Sequence, residues 1–464
     1  LGNFSHIKVK ARYAARIGQC FSHTYEGISK EYEIIPDITR NNYVFTDGVG
    51  RISLEFAVEL TKKFQISFAG KEYIPSAFQF RMGGLKGVVV VDPDIHLYSD
   101  LDLLLSKSQE KFIDSSSSEF ELITYSKRNR FASLNRQLIA LLSSNKVSDS
   151  VFLQLLDRDL EEIKKLFNDK KYMRRVLRKS QDNIVGKNMK KVASLNYLDS
   201  QYDFSKVVQS GEDIKFFYQI EPNGRIILDK ALLLMGVVDF YGVLEEDEVF
   251  IQLSELENSD SDLYDDNCFV NGGTLSGTVA ITRSPCLHPG DIRKFKAVTD
   301  PEKISKLSHL RDVIVFSQKG NRPAANKMSG GDYDGDFFQV FWDPLLVNFE
   351  EYPPMNYEGL PPEEKHDGCD YRVIREFLTE YIINDNLGVV AFLHLEHYDK
   401  EGDGLRSEPC LKLAKHHSYQ VDYAKTGVRK PLPTELFSNS RPHYMPRVFG
   451  KKTYHSEDVI GSIY

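Results

Sequence analysis

What this sequence has little of narrows its class first. No apolar run in the 464 residues approaches the ~20 that a membrane-spanning helix needs, so no membrane is expected among its partners. Cysteine is sparse: Cys20, Cys268, Cys286, Cys369 and Cys410 are scattered with no C-x-x-C pair. Such spacing argues against a zinc ribbon or a disulfide framework and fits a reducing, intracellular compartment. The histidines contain no H-E-x-x-H zinc pattern, and His394 with His397, like the adjacent His416 and His417, read as structural or surface residues. The G-x-x-x-x-G-K-[ST] spacing of a P-loop is also missing. The chain begins Leu1-Gly2-Asn3-Phe4, with neither an initiator Met nor a signal-peptide pattern, and reads as part of a longer protein.

Excess positive charge is missing too. The net charge is -8, odd for a protein that only coats nucleic acid. Its distribution says more than its sum. Lys164 to Lys191 carries eleven Lys and Arg against two acids, whereas Ala231 to Thr282 carries eleven acids and no Lys or Arg. The basic run fits either an RNA path or the solvated face of a helix. At this length, with 41% hydrophobic and 27% charged residues, the chain has room for two to four domains and a large core.

What is present is concentrated in Ser329-Gly330-Gly331-Asp332-Tyr333-Asp334-Gly335-Asp336. On a helix Asp332 and Asp336 would share a face while Asp334 pointed elsewhere, but in an extended or looped segment all three carboxylates can converge. The flanks favour the loop: Val313 to Phe316 before and Phe337 to Trp342 after read as buried strands. The glycines permit positive φ and close approach of backbone to a ligand. Register argues against an EF-hand, because the position that should be Gly is Phe337 and a strand-like run follows. A solvated acidic turn remains an alternative for Asp-rich segments in general. Mg²⁺, which binds through a few carboxylates and keeps positions for water and phosphates, fits better and points to phosphoryl or nucleotidyl transfer.

The segment from Asp312-Val-Ile-Val-Phe-Ser-Gln-Lys-Gly-Asn-Arg-Pro to Met328-Ser-Gly-Gly-Asp-Tyr-Asp-Gly-Asp336 resembles the catalytic signature of the eukaryotic cell-encoded RNA-dependent RNA polymerases of RNA silencing. That family is related to multisubunit RNA polymerases through a double-psi β-barrel, though those enzymes usually carry Asn-Ala where this chain has Gly330-Gly331. Further motifs resemble the family in order: Ala11 to Ser22, Tyr43 to Ser53, Ala77 to Gly87, Met235 to Asp239, Gly242 to Ile251, Thr278 to Arg293, Asp385 to Gly388 and Val421 to Gly427. Taken on its residues alone, Lys86 in Gly83-Gly84-Leu85-Lys86-Gly87 is a lysine in a turn or a phosphate contact. The resemblance implies that this basic residue of a first barrel reaches the active centre of a second. His288, within the Arg283-Ser-Pro-Cys-Leu-His-Pro-Gly290 turn, is either a proton donor or a structural hydrogen-bonding group.

The expected fold is α+β: two double-psi β-barrel lobes at residues 1–97 and 193–346, a helical connector at 98–192 and a linker with a helical C-terminal region at 347–464. Helical periodicity covers Leu54 to Phe64, Leu134 to Leu142, Val151 to Phe167 and the stretch from Tyr371. Strands are expected at Val88 to Val91, Phe216 to Ile220, Arg225 to Leu228 and Leu232 to Phe240. By the resemblance, Asp332, Asp334 and Asp336 hold Mg²⁺, with Mn²⁺ as a substitute. Lys86 meets the triphosphate, and Arg81, Arg322, Lys319, Arg283 and Arg293 are further contacts to nucleotide or RNA. The implied reaction copies single-stranded RNA from ribonucleoside triphosphates by two-metal nucleotidyl transfer, in small-RNA amplification with small-RNA pathway proteins as partners, in cytoplasm or nucleus. A metal-dependent RNA nuclease and a non-catalytic RNA-binding scaffold are the alternatives.

Overall fold

In the computed structural model, residues 2–19, 21, 25–68, 71–127, 131–168, 225–254, 269–270, 273–362 and 371–464 are described. The expected strand Phe216 to Ile220 and nearly all of the basic run after Lys164 lie outside them.

The four-valine run explains why the molecule has two lobes that are not separable. In the strand Leu85–Val91, successive side chains alternate between faces. Val89 and Val91 enter a core with Ile52, Phe56, Phe78, Phe80 and Phe120, while Val88 and Val90 enter another built mainly from the second lobe, with Val237, Phe316 and Phe338. A strand buried on both faces must read as a continuous apolar run, and this one does.

The first lobe is a seven-stranded mixed sheet. In hydrogen-bonded order it runs Tyr25–Ser29, Glu119–Tyr125, Ala77–Met82, Leu85–Val91, Val49–Ile52, Leu103–Ser106, Glu33–Ile35. Its two edge strands are consecutive in sequence, with only residues 30–32 between them. A link of that length reaches ~3.3–3.6 Å per residue, so the sheet has to roll until its edges nearly meet. The helix Leu54–Lys63, with Ser53 Oγ accepting the Phe56 N–H as its cap, lays Phe56, Ala57 and Leu60 into the lobe's core.

The second lobe closes completely. The long strand Ile226–Val238 pairs in parallel with Val313–Phe316, and the ladder continues through Glu248–Phe250, Ile292–Ala297 and Gly277–Thr282 to Phe337–Phe341. Phe337–Phe341 then pairs back onto Ala231 to Met235, so six strands form a barrel without free edges. Its outer face is covered by the helices Arg136–Ser144 and Asp149–Asn168 and by C-terminal residues including Leu395, Tyr398, Val459 and Ile460.

Two boundaries differ from the sequence reading. Leu103–Ser106 and Glu119–Tyr125, expected within a helical connector starting at residue 98, belong to the first sheet, and Phe131–Leu134 pairs onto the second. The two strands expected on either side of Asp229 and Lys230 form one strand with a register shift at its pairing with Phe131–Leu134. Beyond Asn348, the residues to 362 form no helix or strand. This expected linker is a strap pinned to the barrel by Arg293, whose Nη1 donates to Tyr352 O at 3.1 Å, and to the C-terminal helix Glu408–Thr426 by Lys415, whose Nζ donates to Asn356 O at 2.6 Å. Among the described residues no helix is long and apolar enough to cross a membrane.

Candidate active site

The Asp loop fills the gap between Val313–Phe316 and Phe337–Phe341 at one end of the closed barrel. Extended alternation sorts its side chains. Tyr333 is 1% exposed and lies in the shared core near Phe316, whereas Asp332, Asp334 and Asp336 are only half-buried. One carboxylate oxygen from each of the three lies within 4.8 Å of the others. The loop also braces itself: Asp332 N donates to Asp336 Oδ2 at 3.0 Å and Asp334 N to Asp332 Oδ1 at 3.1 Å.

The first lobe supplies the facing wall. Gly48, at φ +81°, lies so close that an added Cβ would sit 2.4 Å from Asp334 Cβ, and Tyr333 N donates to Asp47 O at 3.0 Å. Gln79 Nε2 donates to Asp334 O at 3.0 Å, and the Lys86 ammonium donates to Asp334 Oδ2 at 2.7 Å. From the barrel itself Arg283 grips Asp336 with two nitrogens, Nε to Oδ2 at 2.6 Å and Nη2 to Oδ1 at 2.9 Å, the forked geometry that suits a carboxylate.

The electrostatics follow from this crowding. Burial, with the Asp334 and Asp336 charges behind it, pushes the Asp332 carboxyl up to about 8. Burial acts upward on Asp334 as well, but the charge and hydrogen bond of Lys86 outweigh it, and that carboxyl ends below its ordinary value. Three carboxylates of which one resists ionising form a site that a divalent cation would relieve, and all-oxygen ligation suits a hard ion. The residues present therefore fit a metal, which Asp332, Asp334 and Asp336 would hold.

A family model described as RNA dependent RNA polymerase matches residues 1–464. The chain belongs to the RNA-dependent RNA polymerase family. It is 36% identical over 469 residues to the probable RNA-dependent RNA polymerase 1 of Oryza sativa subsp. japonica, covering all of this chain and 60% of that protein. It is 34% identical over 471 residues to RNA-dependent RNA polymerase 1 of Arabidopsis thaliana and 32% over 496 residues to that of Schizosaccharomyces pombe, again over the whole chain. It spans 40% and 39% of those two proteins. Among solved structures, the RNA dependent RNA polymerase QDE-1 from Thielavia terrestris superposes with a TM-score of 0.72 at 22% identity, covering 91% of this chain and 50% of that one. That likeness is one of fold: an α+β protein of double-psi barrel architecture.

Within this RNA-dependent RNA polymerase fold, the structure gathers Asp332, Asp334, Asp336, Lys86 and Arg283. It engages the other expected contacts elsewhere. Arg322 donates to Asn326 Oδ1 at 2.7 Å and to Met355 O at 2.8 Å, fastening the strap. Arg293 bonds Tyr352 O and lies 3.3 Å from Glu351 Oε1. Lys319 pairs with Glu245 at 2.7 Å, and Arg81 donates to Gln19 O on the helix Lys10–Gln19. His288 Nδ1 accepts the Gly290 N–H at 3.1 Å, and burial holds its ring down to about 4. Of its two readings the structural one matches that bond.

Three residues near the triad escaped the sequence reading. Asp47 is raised by burial, and its charge interacts with Lys111 and Asp334. Lys111 is lowered by burial and interacts with Asp47, Arg16, Lys86 and Asp334; Arg16 likewise is lowered by burial and feels Asp334. Asp47 and Arg16 lie inside stretches that resemble family motifs. Lys111 lies in none and becomes visible only in the fold.

Proposed function

We propose that this chain is the catalytic part of an RNA-directed RNA polymerase, adding ribonucleoside triphosphates to an RNA 3′ end against a single-stranded RNA template. The observation that carries the reading is the meeting of two lobes at one point: a lysine from one lobe bonded to the central aspartate of a triad on the other. A nuclease needs the triad but not a cation poised at it from a second lobe, and an RNA-binding scaffold needs neither.

Mg²⁺ or Mn²⁺ held by Asp332, Asp334 and Asp336, in a two-metal arrangement, would supply activation of the attacking 3′-hydroxyl and charge stabilisation at the departing pyrophosphate. The protein's own residues position and neutralise. Lys86, bonded to Asp334 before substrate arrives, turns to the triphosphate once that carboxylate is otherwise engaged. Lys111 and Arg16 add positive potential over the same carboxylate. Arg283 keeps Asp336 oriented. The buried free thiols of Cys286 and Cys410 suit an intracellular setting, cytoplasmic or nuclear. A place in RNA silencing with small-RNA proteins as partners agrees with the sequence resemblance.

The test is incubation with single-stranded RNA, Mg²⁺ and labelled nucleotides, followed by sizing of products. Extension of RNA is expected, with Asp334→Ala lowering it at least a hundredfold while the fold survives. Shortened RNA would instead make the protein a nuclease, and binding without new or shortened RNA would make it a scaffold.

A further inference from the structure

We infer that Asp291 and Tyr357 form a positioning pair that sets the backbone path into the Asp loop from behind, by acting on Ser329. The inference rests on the reading of the loop as the metal-holding centre and adds a residue pair outside it. Asp291 ends the short turn Pro289–Asp291 and is 1% exposed. Its Oδ1 accepts the Ser329 N–H at 2.9 Å and the Tyr357 hydroxyl; its Oδ2 accepts the His288 N–H at 2.9 Å. One buried carboxylate thus ties the turn, the start of the Asp loop and the strap.

The segment it holds needs holding. Ser329 has φ +54°, uncommon for a residue with a side chain, and its hydroxyl is drawn to Pro285 O. Gly330 follows at φ +62° with the Tyr357 ring against it, where an added Cβ would sit 2.9 Å from Tyr357 Cβ and Cγ. Two consecutive left-handed residues form a tight reversal, and Asp332 emerges only two residues later. A carboxylate buried without a paired cation is costly. Burial pushes Asp291 up to about 6. Its three donors offset that cost, and two of them come from the segments that define the reversal. Tyr357 packs on the same reversal from the strap, so the strap contributes to loop geometry although none of its residues lies in the triad.

The experiment compares wild type, Asp291→Ala, Asp291→Asn and Tyr357→Phe by three readouts: Mn²⁺ binding followed by electron paramagnetic resonance, amide hydrogen exchange of residues 329–336, and nucleotide incorporation split into kcat and KM. Asp291→Ala is expected to weaken Mn²⁺ binding and speed loop exchange about tenfold, the size of one lost charge-assisted hydrogen bond. It should lower kcat with KM for nucleotide unchanged. Asp291→Asn keeps an oxygen for Ser329 but turns an NH2 toward the His288 N–H, and should recover part of each loss; Tyr357→Phe should show a smaller shift of the same kind. Unchanged Mn²⁺ binding and loop exchange in folded Asp291→Ala would overturn the inference. So would exchange that rises evenly across the whole barrel. Should Asp291→Ala not fold, Tyr357→Phe decides: a loop-confined shift supports the pair, no shift overturns it. If wild type makes no RNA, the polymerase reading fails, while the Mn²⁺ and exchange readouts still decide the positioning role.

Discussion

At the residue scale, the aspartates were legible because three carboxylates between glycines have few structural uses, and a motif concentrates them. The resemblance singled out Lys86, and Arg283 only as a contact to nucleotide or RNA and not as the partner of Asp336, whereas Asp47 and Lys111 owe their place to chain segments that meet only on folding. The basic residues show why charge alone misleads: a guanidinium in a turn serves backbone carbonyls as readily as phosphates, and Arg322 and Arg293 do so. A pH dependence follows from Asp332. Its native carboxyl keeps a proton to about pH 8, whereas in the unfolded chain it loses that proton near ~3.9. Between those values the native state binds more protons than the unfolded one, so metal-free stability falls as pH rises from about 4 to about 8. Asp334, held below its ordinary value, acts in the opposite sense and only under acid conditions. Urea unfolding in the presence of a chelator at pH 5 to 8 should show the decline, and Asp332→Asn should flatten it. Mn²⁺ affinity should rise over the same interval, since binding expels the proton. Parallel pH slopes for the two proteins would remove Asp332 as their source.

At the element scale, continuous apolar runs made Val88 to Val91, Val313 to Phe316 and Phe337 to Trp342 readable as strands, although the first begins three residues earlier, at Leu85, and the 3.6-residue periodicity fixed the main helices. Leu103–Ser106 and Glu119–Tyr125 were not readable, being flanked by serines and charges and stabilised by partners far along the chain. The polar pair Asp229-Lys230 interrupts the apolar run and split the reading into two strands, yet one strand continues through it, within a register shift. The Tyr43–Val44 to Val49–Ile52 connection was legible as a turn, but its approach to the Asp loop was not. There Gly48 permits both a left-handed backbone and contact with Asp334. Gly48→Ala should therefore cost roughly 1–3 kcal/mol from the backbone alone and, by pushing the Asp loop away, lower nucleotide incorporation at least tenfold. Gly18→Ala, where an added Cβ meets nothing within 4 Å, serves as the control and should leave both unchanged. Equal activity in the two variants would show that the lobes' closest approach is not needed for the chemistry.

At the scale of the whole molecule, the lobes share one core through Val49, Ala77, Val88 and Val90 and are joined by polar ties of two kinds. Tyr73 OH from the first lobe donates to the buried Asp312 at 2.7 Å, at the start of Val313–Phe316; Lys86 bonds Asp334 at the triad. The first tie concerns docking and the second chemistry, so their removal should separate. Tyr73→Phe leaves Asp312 the backbone and hydroxyl of Ser254 as donors, and should destabilise by about 1–3 kcal/mol with kcat and KM little changed. Lys86→Ala should do the reverse. Its partner is only part-buried, so stability should move little, while KM for nucleotide rises, kcat falls, or both, according to where along the reaction the contact strengthens. Metal binding should survive in Lys86→Ala, because the triad is intact. Lys86→Arg should restore activity only in part, since a planar fork does not occupy the place of a compact ammonium. If Lys86→Ala instead loses stability and keeps normal kinetics in the protein that remains folded, the lysine is a second docking tie, and the triphosphate must be met by other cations such as Lys111.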